Sequence, residues 1–337
     1  MSFLRRFAIL ALCAVLLALS WWRSPLPPPN RDMRVSFTPI ALAKTPQLAP
    51  GLTLERAWLV HGNGDDFGGY SALAVLGNGE LFTLSDRGRY LRFRDPSRGD
   101  PQPRMGLFLT SEAKDKRLAD SESLTRDPAT GRLWVGYEQS NAIVRTDAQG
   151  RDPRAVRPAA MRDWASNGGP EAMVRLANGR FIVLAESRDG WFSTAGPALL
   201  FPYDPVAGAR PVRFRYDAPA RSLPTDMAQL PDGRVLILHR QVVLGVPPGF
   251  VSKLVLADPA AIRGGKAWKG TVLATLEPPL PSDNFEGLAV APQADGSAVV
   301  WVISDDNQIS FQRTILLKLR WKPVPEGKRR TREKGAR

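Results

Sequence analysis

The chain has 337 residues, 43% of them hydrophobic and 23% charged, which is ordinary for a globular protein with a sizeable core. Its net charge of +13 is unevenly placed: residues 322–337 carry seven cations against two acids, and Arg5, Arg6 and Arg23 add more at the other end. No helix-turn-helix, zinc or RNA-recognition pattern accompanies that charge, so specific nucleic-acid binding is set aside, and the single cysteine, Cys13, excludes disulfides, cysteine-ligated zinc and cysteine catalysis in the body.

Residues 1–6 are short and basic and residues 7–19 are an unbroken apolar run, the two opening parts of a secretory signal. Ser20-Trp21-Trp22-Arg23 offers no small-x-small cleavage site, and paired tryptophans suit a membrane interface. Residues 1–24 therefore read equally as a cleaved signal peptide and as an uncleaved anchor through residues 7–22, a possible inner-membrane tether. Either way the body is expected across the membrane, periplasmic or secreted. Residues 25–34 are a Pro-rich spacer, extended and stiff. The folded domain is expected over 35–321 as a monomer, and 322–337 as a solvated basic tail.

Along the body one unit is written five times: an apolar strand, a glycine turn, a second apolar strand. The turns are Asn78-Gly79, Thr130-Gly131, Asn178-Gly179, Asp232-Gly233 and Asp295-Gly296, with glycines 52, 48, 54 and 63 residues apart. Strand, turn with a residue able to take positive φ, strand: this is a β-hairpin. Weaker third strands are expected at residues 90–93, 143–146, 199–203 and 253–256. Four strands in a unit of roughly 50 residues is the pattern of a β-propeller blade. The fold is therefore expected to be all-β, a propeller of five or six blades. The final repeat has a third strand at residues 314–321 and lacks an outer one, which residues 52–60 can supply to close the ring. Residues 35–42 are the candidate for a sixth, degenerate blade.

In an antiparallel hairpin the start of the first strand and the end of the second share one edge, opposite the turn. Nine acids fall at that edge: Asp86, Glu122, Glu138, Glu171, Glu186, Asp226, Glu286, Asp305 and Asp306. With the first strands innermost, these side chains should converge on one mouth of the central channel. Crowded carboxylates repel unless cations sit among them, and six to eight hard oxygen ligands are what Ca²⁺ takes. Glu122, Glu171 and Glu286 occupy the equivalent slot in three units. The alternative is that the acids cap turns and pair with Arg87, Arg188 and Arg240, which lie at the same strand ends. His61 and His239 are the only histidines, so a multi-histidine metal site is excluded. No Gly-x-Ser-x-Gly is present, which disfavours a serine hydrolase.

Phe67-Gly68-Gly69-Tyr70-Ser71-Ala72-Leu73 with Ser85-Asp86-Arg87-Gly88, then Asp120-Ser121-Glu122-Ser123-Leu124, Asn167-Gly168-Gly169-Pro170-Glu171-Ala172, Asp283-Asn284-Phe285-Glu286-Gly287-Leu288, and Ser304-Asp305-Asp306-Asn307 before Gln312-Arg313-Thr314 together resemble the phytase-like domain family of exported bacterial proteins, also called the "esterase-like activity of phytase" family. The resemblance runs from about residue 35 to 321. It implies a calcium site at Asp86, Glu122, Glu171, Glu286 and Asp305. The enzymatic expectation is a calcium-dependent hydrolase of phosphate or carboxylic esters acting on a small anionic or ester substrate. In it Glu286 and Asp305 act with His239 as proton donor, and Arg87 and Arg240 clamp the substrate. A sugar-ester lactonase is a further possibility on the same groups. The non-enzymatic expectation is a periplasmic binding or scaffold propeller with structural calcium, and fold alone does not choose between them.

Overall fold

The computed structural model describes residues 3–20, 28–42, 45–109, 120–190 and 193–323, in two units, one up to Arg31 and one from Asp32 onward. The first unit contains α1 (Phe3–Ser20), its described side chains exposed. Among the described residues no helix is long and apolar enough to cross a membrane. Trp21, Trp22 and residues 324–337 of the expected basic tail lie outside the described residues.

The second unit opens with β1 (Val35–Pro39), β2 (Gln47–Ala49) and β3 (Leu52–Gly62). Blade one is β4 (Tyr70–Val75), β5 (Leu81–Ser85), β6 (Arg89–Phe93) and β7 (Arg104–Leu107). Blade two is β8 (Ser121–Arg126), β9 (Leu133–Tyr137), β10 (Ala142–Thr146) and β11 (Arg154–Val156). Blade three is β12 (Pro170–Arg175), β13 (Phe181–Ala185), β14 (Ala195–Phe201) and β15 (Val212–Asp217). Blade four is β16 (Leu223–Gln229), β17 (Val235–Val243), β18 (Gly249–Ala257) and β20 (Thr271–Leu276); its short β19 (Ala267–Trp268) adds to blade three, parallel to β15. Blade five is β21 (Phe285–Pro292), β22 (Ala298–Ser304) and β23 (Thr314–Trp321).

Blade five is completed from the other end of the domain. β3 pairs antiparallel with β23, from Thr314↔Val60 to Trp321↔Leu52, and β1 pairs outside β3. Residues 35–39 thus form an outer strand of blade five and not a sixth blade, because their partner is residues 58–62 of the strand that closes the ring. The inner strands β4, β8, β12, β16 and β21 neighbour one another in that order, and β21 returns to β4. Five blades form the β-propeller.

Each blade buries both faces, so its strands read as continuous apolar runs whose alternate residues fill successive seams. Trp58 and Trp301 stack at 6.2 Å in the seam between blades five and one. Trp134 meets Phe181 edge-on at 5.0 Å between blades two and three. These tryptophans pack blade against blade. All five turn glycines have positive φ, from 74° at Gly131 to 87° at Gly233, a region an L side chain enters only with strain.

Candidate functional site

Every inner strand begins with the same irregularity. In blade one Tyr70 pairs with Ser85 and Ala72 with Leu84, leaving Ser71 as an extra residue. The same slip leaves Glu122 extra in β8, Glu171 in β12, Thr225 in β16 and Glu286 in β21. A β-bulge takes one residue out of the alternation and re-aims its side chain. Repeated five times around a ring, it produces a tier of five equivalent positions, three of them glutamates. On the second strands, the residues one past the bulge's last partner form an adjoining tier: Asp86, Glu138, Glu186, Arg240 and Asp305.

The blades lacking a glutamate use the bulge position to fasten neighbours. Ser71 Oγ donates to Ser121 O of the next blade, and Thr225 Oγ1 donates to Phe285 O at 3.4 Å. The carboxylates of blades two and three come together: oxygens of Asp120, Glu122 and Glu138 lie within 4.8 Å of one another, as do those of Glu138, Glu171 and Glu186. On the far side Arg240 donates to Glu186 at 2.5 Å and to Glu286, and Asn284 Nδ2 donates to Glu286 at 2.8 Å. A run of carboxyl groups thus extends from Glu122 through Glu138 and Glu171 to Glu186 and, across one guanidinium, to Glu286.

Burial and mutual repulsion shift these groups in one direction. Glu122 is raised well above the usual carboxylate range by burial, then by Glu171, Glu286 and Asp120; Glu171 is raised likewise by burial, Glu186 and Glu138. Glu138 is pushed up to about 7 by burial and Asp120, and Asp305 to about 8 by burial and Glu286. Glu286 reaches about 7 because burial outweighs the help of Arg240. Arg240 itself is pulled down by burial but raised on balance by Glu286 and Glu186. Oxygens of Glu138 and Glu171, and of Glu122 and Asp120, lie within 4.8 Å of one another, close enough for like charge to favour the protonated form of the glutamates.

The glycine pair of the loop entering β4 shapes the rim. Gly68 and Gly69 have φ of +93° and +71°, and a Cβ at either would lie 2.5 Å from a carboxylate oxygen, of Asp306 and Asp86 respectively. Only residues without side chains let both carboxylates approach. Asp306 accepts from Gly69 N at 3.1 Å, Gln308 N at 3.0 Å and Thr314 Oγ1 at 2.8 Å, so it braces the loop. Asp86 is raised by burial despite the flanking Arg87, and its Oδ1 is buried with no hydrogen-bond partner.

Of the residues expected at this site, the structure brings Glu122, Glu171 and Glu286 into one ring with Asp86 and Asp305 in the adjoining tier. Asp120, left out of the expected acids, joins them. Asp226 does not: fully buried, it accepts from Met227 N at 2.8 Å and Leu288 N at 2.7 Å and ties β16 to β21. Asp306 is likewise spent on the backbone. Arg240 lies between two glutamates, and Arg87 is exposed, donating to Asp65 O at 3.0 Å. His239 must be corrected. It is 0% exposed, with Nε2 2.7 Å from Tyr216 Oη in the seam between blades three and four. Burial and Lys253 lower it to about 3. It is a neutral packing group without access to a substrate.

The donor set suits a hard cation. Two ligands of one Ca²⁺ at about 2.4 Å lie at most about 4.8 Å apart, the spread within each carboxylate triplet. The donors are oxygens only, and the buried Asp86 Oδ1 accepts no hydrogen bond, its nearest cation being Arg87 Nε at 3.9 Å. The residues present therefore fit Ca²⁺, with Asp86, Asp120, Glu122, Glu138, Glu171 and Glu186 as its candidate ligands.

A model of the family described as "Phytase-like: Esterase-like activity of phytase" matches residues 65–308. Among curated proteins no relative matches the chain. Solved structures similar to it include a calcium-binding protein, regucalcin, from Agrobacterium tumefaciens, with 15% identity, covering 86% of this chain and 94% of that one at a TM-score of 0.44. The PQQ-bound aldose sugar dehydrogenase of Streptomyces coelicolor is similar at 12% identity over 87% of this chain and 100% of that one, TM-score 0.44. A luciferin-regenerating enzyme shares 10% identity over 75% and 92%, TM-score 0.43. Likenesses at this level carry no argument about what this chain binds or does.

Proposed function

This chain belongs to the phytase-like family, and from that premise we propose that it is an exported, calcium-dependent hydrolase of phosphate or carboxylic esters whose reaction centre is the carboxylate mouth. One observation carries the proposal: equivalent bulges in three of the five inner strands set glutamates beside a second tier of acids. Bound calcium would supply charge neutralisation at an ester oxygen and a more acidic water. The chain's own groups supply the proton transfers. Asp305, raised to about 8, keeps its proton near neutrality and gives it to the leaving oxygen. Glu286, near 7 and oriented by Arg240 and Asn284, takes a proton from the attacking water. Both values lie close to the working pH, where proton transfer is most effective. Arg87, exposed and only 3.9 Å from Asp86, is the cation placed to meet an anionic substrate at this mouth. The basic start and apolar run of α1 support export.

A second reading, a binding or scaffold propeller stapled by calcium, is favoured by the engagement of Arg240 between two glutamates and by the seclusion of His239. One experiment separates the two. The purified chain is assayed on p-nitrophenyl phosphate and p-nitrophenyl acetate, with calcium and with chelator, alongside its melting temperature. Calcium-dependent turnover lost in Asp305→Asn at unchanged melting temperature is the outcome expected of a hydrolase. Calcium-raised melting without turnover on either ester favours the staple. A melting temperature indifferent to calcium and chelator removes both.

A further inference from the structure

The opposite mouth of the ring, where the hairpin turns lie, contains a cavity of ≈ 990 Å³. Its floor takes one apolar residue from each inner strand, Leu73, Leu124, Val174, Met227 and Leu288, each almost fully buried, with the half-buried Val75 and Val290 above them. Its walls and rim carry six cations, Arg94, Arg98, Arg126, Arg175, Lys318 and Arg320, against only Asp95 and Asp100. Most of these cations are engaged. Lys318 lies 2.7 Å and Arg98 3.7 Å from Asp95, Arg320 2.9 Å from Glu55, and Arg175 3.4 Å from Asp127.

Arg94 and Arg126 have no ion pair among the described residues, and of the two only Arg126 is drawn into the cavity wall, Arg94 being exposed. Half-buried at the turn end of β8, Arg126 has no carboxylate within ion-pair distance among the described residues. Neighbouring Asp127 is occupied by Arg175 and by Thr130 Oγ1 at 2.8 Å. The Arg126 guanidinium meets only the Val75 and Pro128 carbonyls, each at 3.5 Å, and lies over Gly77, where a Cβ would come within 2.7 Å of Nη2. A planar fork of donors, partly desolvated and lacking an acid, beside an apolar floor is a place for an anion with a hydrocarbon body. The volume is at the upper end of what small-molecule sites use.

We propose that this turn-side mouth binds an amphipathic organic anion, one carboxylate or phosphate head on an alkyl or aryl body, with the head on Arg126 and the body on the five-residue floor. The site is separate from the carboxylate mouth, since the bulged glutamates lie at the opposite ends of the same strands.

The test titrates the full chain calorimetrically with octanoate and with octyl phosphate. Octyltrimethylammonium serves as the same body with the opposite charge, and acetate and inorganic phosphate as heads without bodies. At least one octyl anion should bind, and the preferred one identifies the head group. The cationic probe and the bare heads should not bind comparably. Arg126→Gln should weaken anion binding about tenfold or more, Arg126→Lys should weaken it less, and Glu171→Gln at the other mouth should leave it unchanged. Melting temperatures close to that of the parent certify the folded variants. Binding of neither anion, equal binding of the cationic probe, or undiminished binding by a folded Arg126→Gln overturns the proposal.

Discussion

Arg240 joins Glu186 and Glu286, both mostly buried, so its removal leaves two carboxylates facing each other without a counter-charge. Arg240→Leu is expected to cost about 3 kcal/mol at pH 8 without divalent cations. Urea titration at pH 8 and pH 6 checks this, and the deficit should narrow at pH 6, where Glu286, already near 7 beside Arg240, takes up a proton. The three bulged glutamates were legible from the sequence because the repeat aligns them, and Arg240 because it holds the matching place in its unit. His239 was misread for a reason the sequence does contain. Neighbours on a strand face opposite sides, so an arginine turned to the mouth sends the preceding histidine into the seam, on the side of Ile237 and Val235. Asp120 precedes the hairpin repeat and was missed for that. It lies outside β8 at a φ of 79° and Glu122 is bulged, so strand spacing does not signal the approach of the two carboxyls.

At the level of strands and turns, glycine turns and apolar runs were enough to expect five hairpins and the closing strand at residues 52–60. The bulges were not readable, because a one-residue slip is a property of how two strands pair and leaves the apolar pattern of each unchanged. Yet those bulges decide where the glutamates point. The glycines separate into two kinds that mutation can distinguish. A Cβ at Gly79 meets nothing within 4 Å, so Gly79→Ala should cost only the left-handed strain, about 1 kcal/mol. Gly68→Ala adds a collision with Asp306 to that strain and should cost about 2 kcal/mol or more. Gly68→Ala should also weaken calcium-dependent stabilisation, since Asp306 and the neighbouring Asp86 share that loop. Urea midpoints with and without calcium measure both effects. Equal costs for the two variants, with calcium response intact, would remove the loop from the account of the site.

Over the whole molecule, the propeller separates charge along its axis, with raised carboxyl groups at one mouth and arginines at the other. The carboxyl end ties stability to pH. Glu138 and Glu286 at about 7 and Asp305 at about 8 all lie above their ordinary values because of burial and like charge. An acid raised on folding gives its stability below its unfolded value and loses it as pH rises through its folded one, since the folded state binds the proton more tightly. Without calcium the melting temperature should therefore rise as pH is lowered from 8.5 to 6.5. Below about 6.5 His239 acts the other way: lowered to about 3 by burial and Lys253, it stays neutral when folded, while in the unfolded chain it takes a proton. The rise should slow there, one group working against three, and end only at about pH 4, where the carboxylates of the unfolded chain take up protons. Calcium at the proposed site would bind the deprotonated groups, so its stabilisation should be larger at pH 8 than at pH 6, and adding it at pH 7 in weak buffer should release protons. Scanning calorimetry across this range, with calcium or chelator, tests the sign directly. A chelated protein that melts lower at pH 6.5 than at pH 8.5 would mean that these carboxyl groups do not repel one another in the fold.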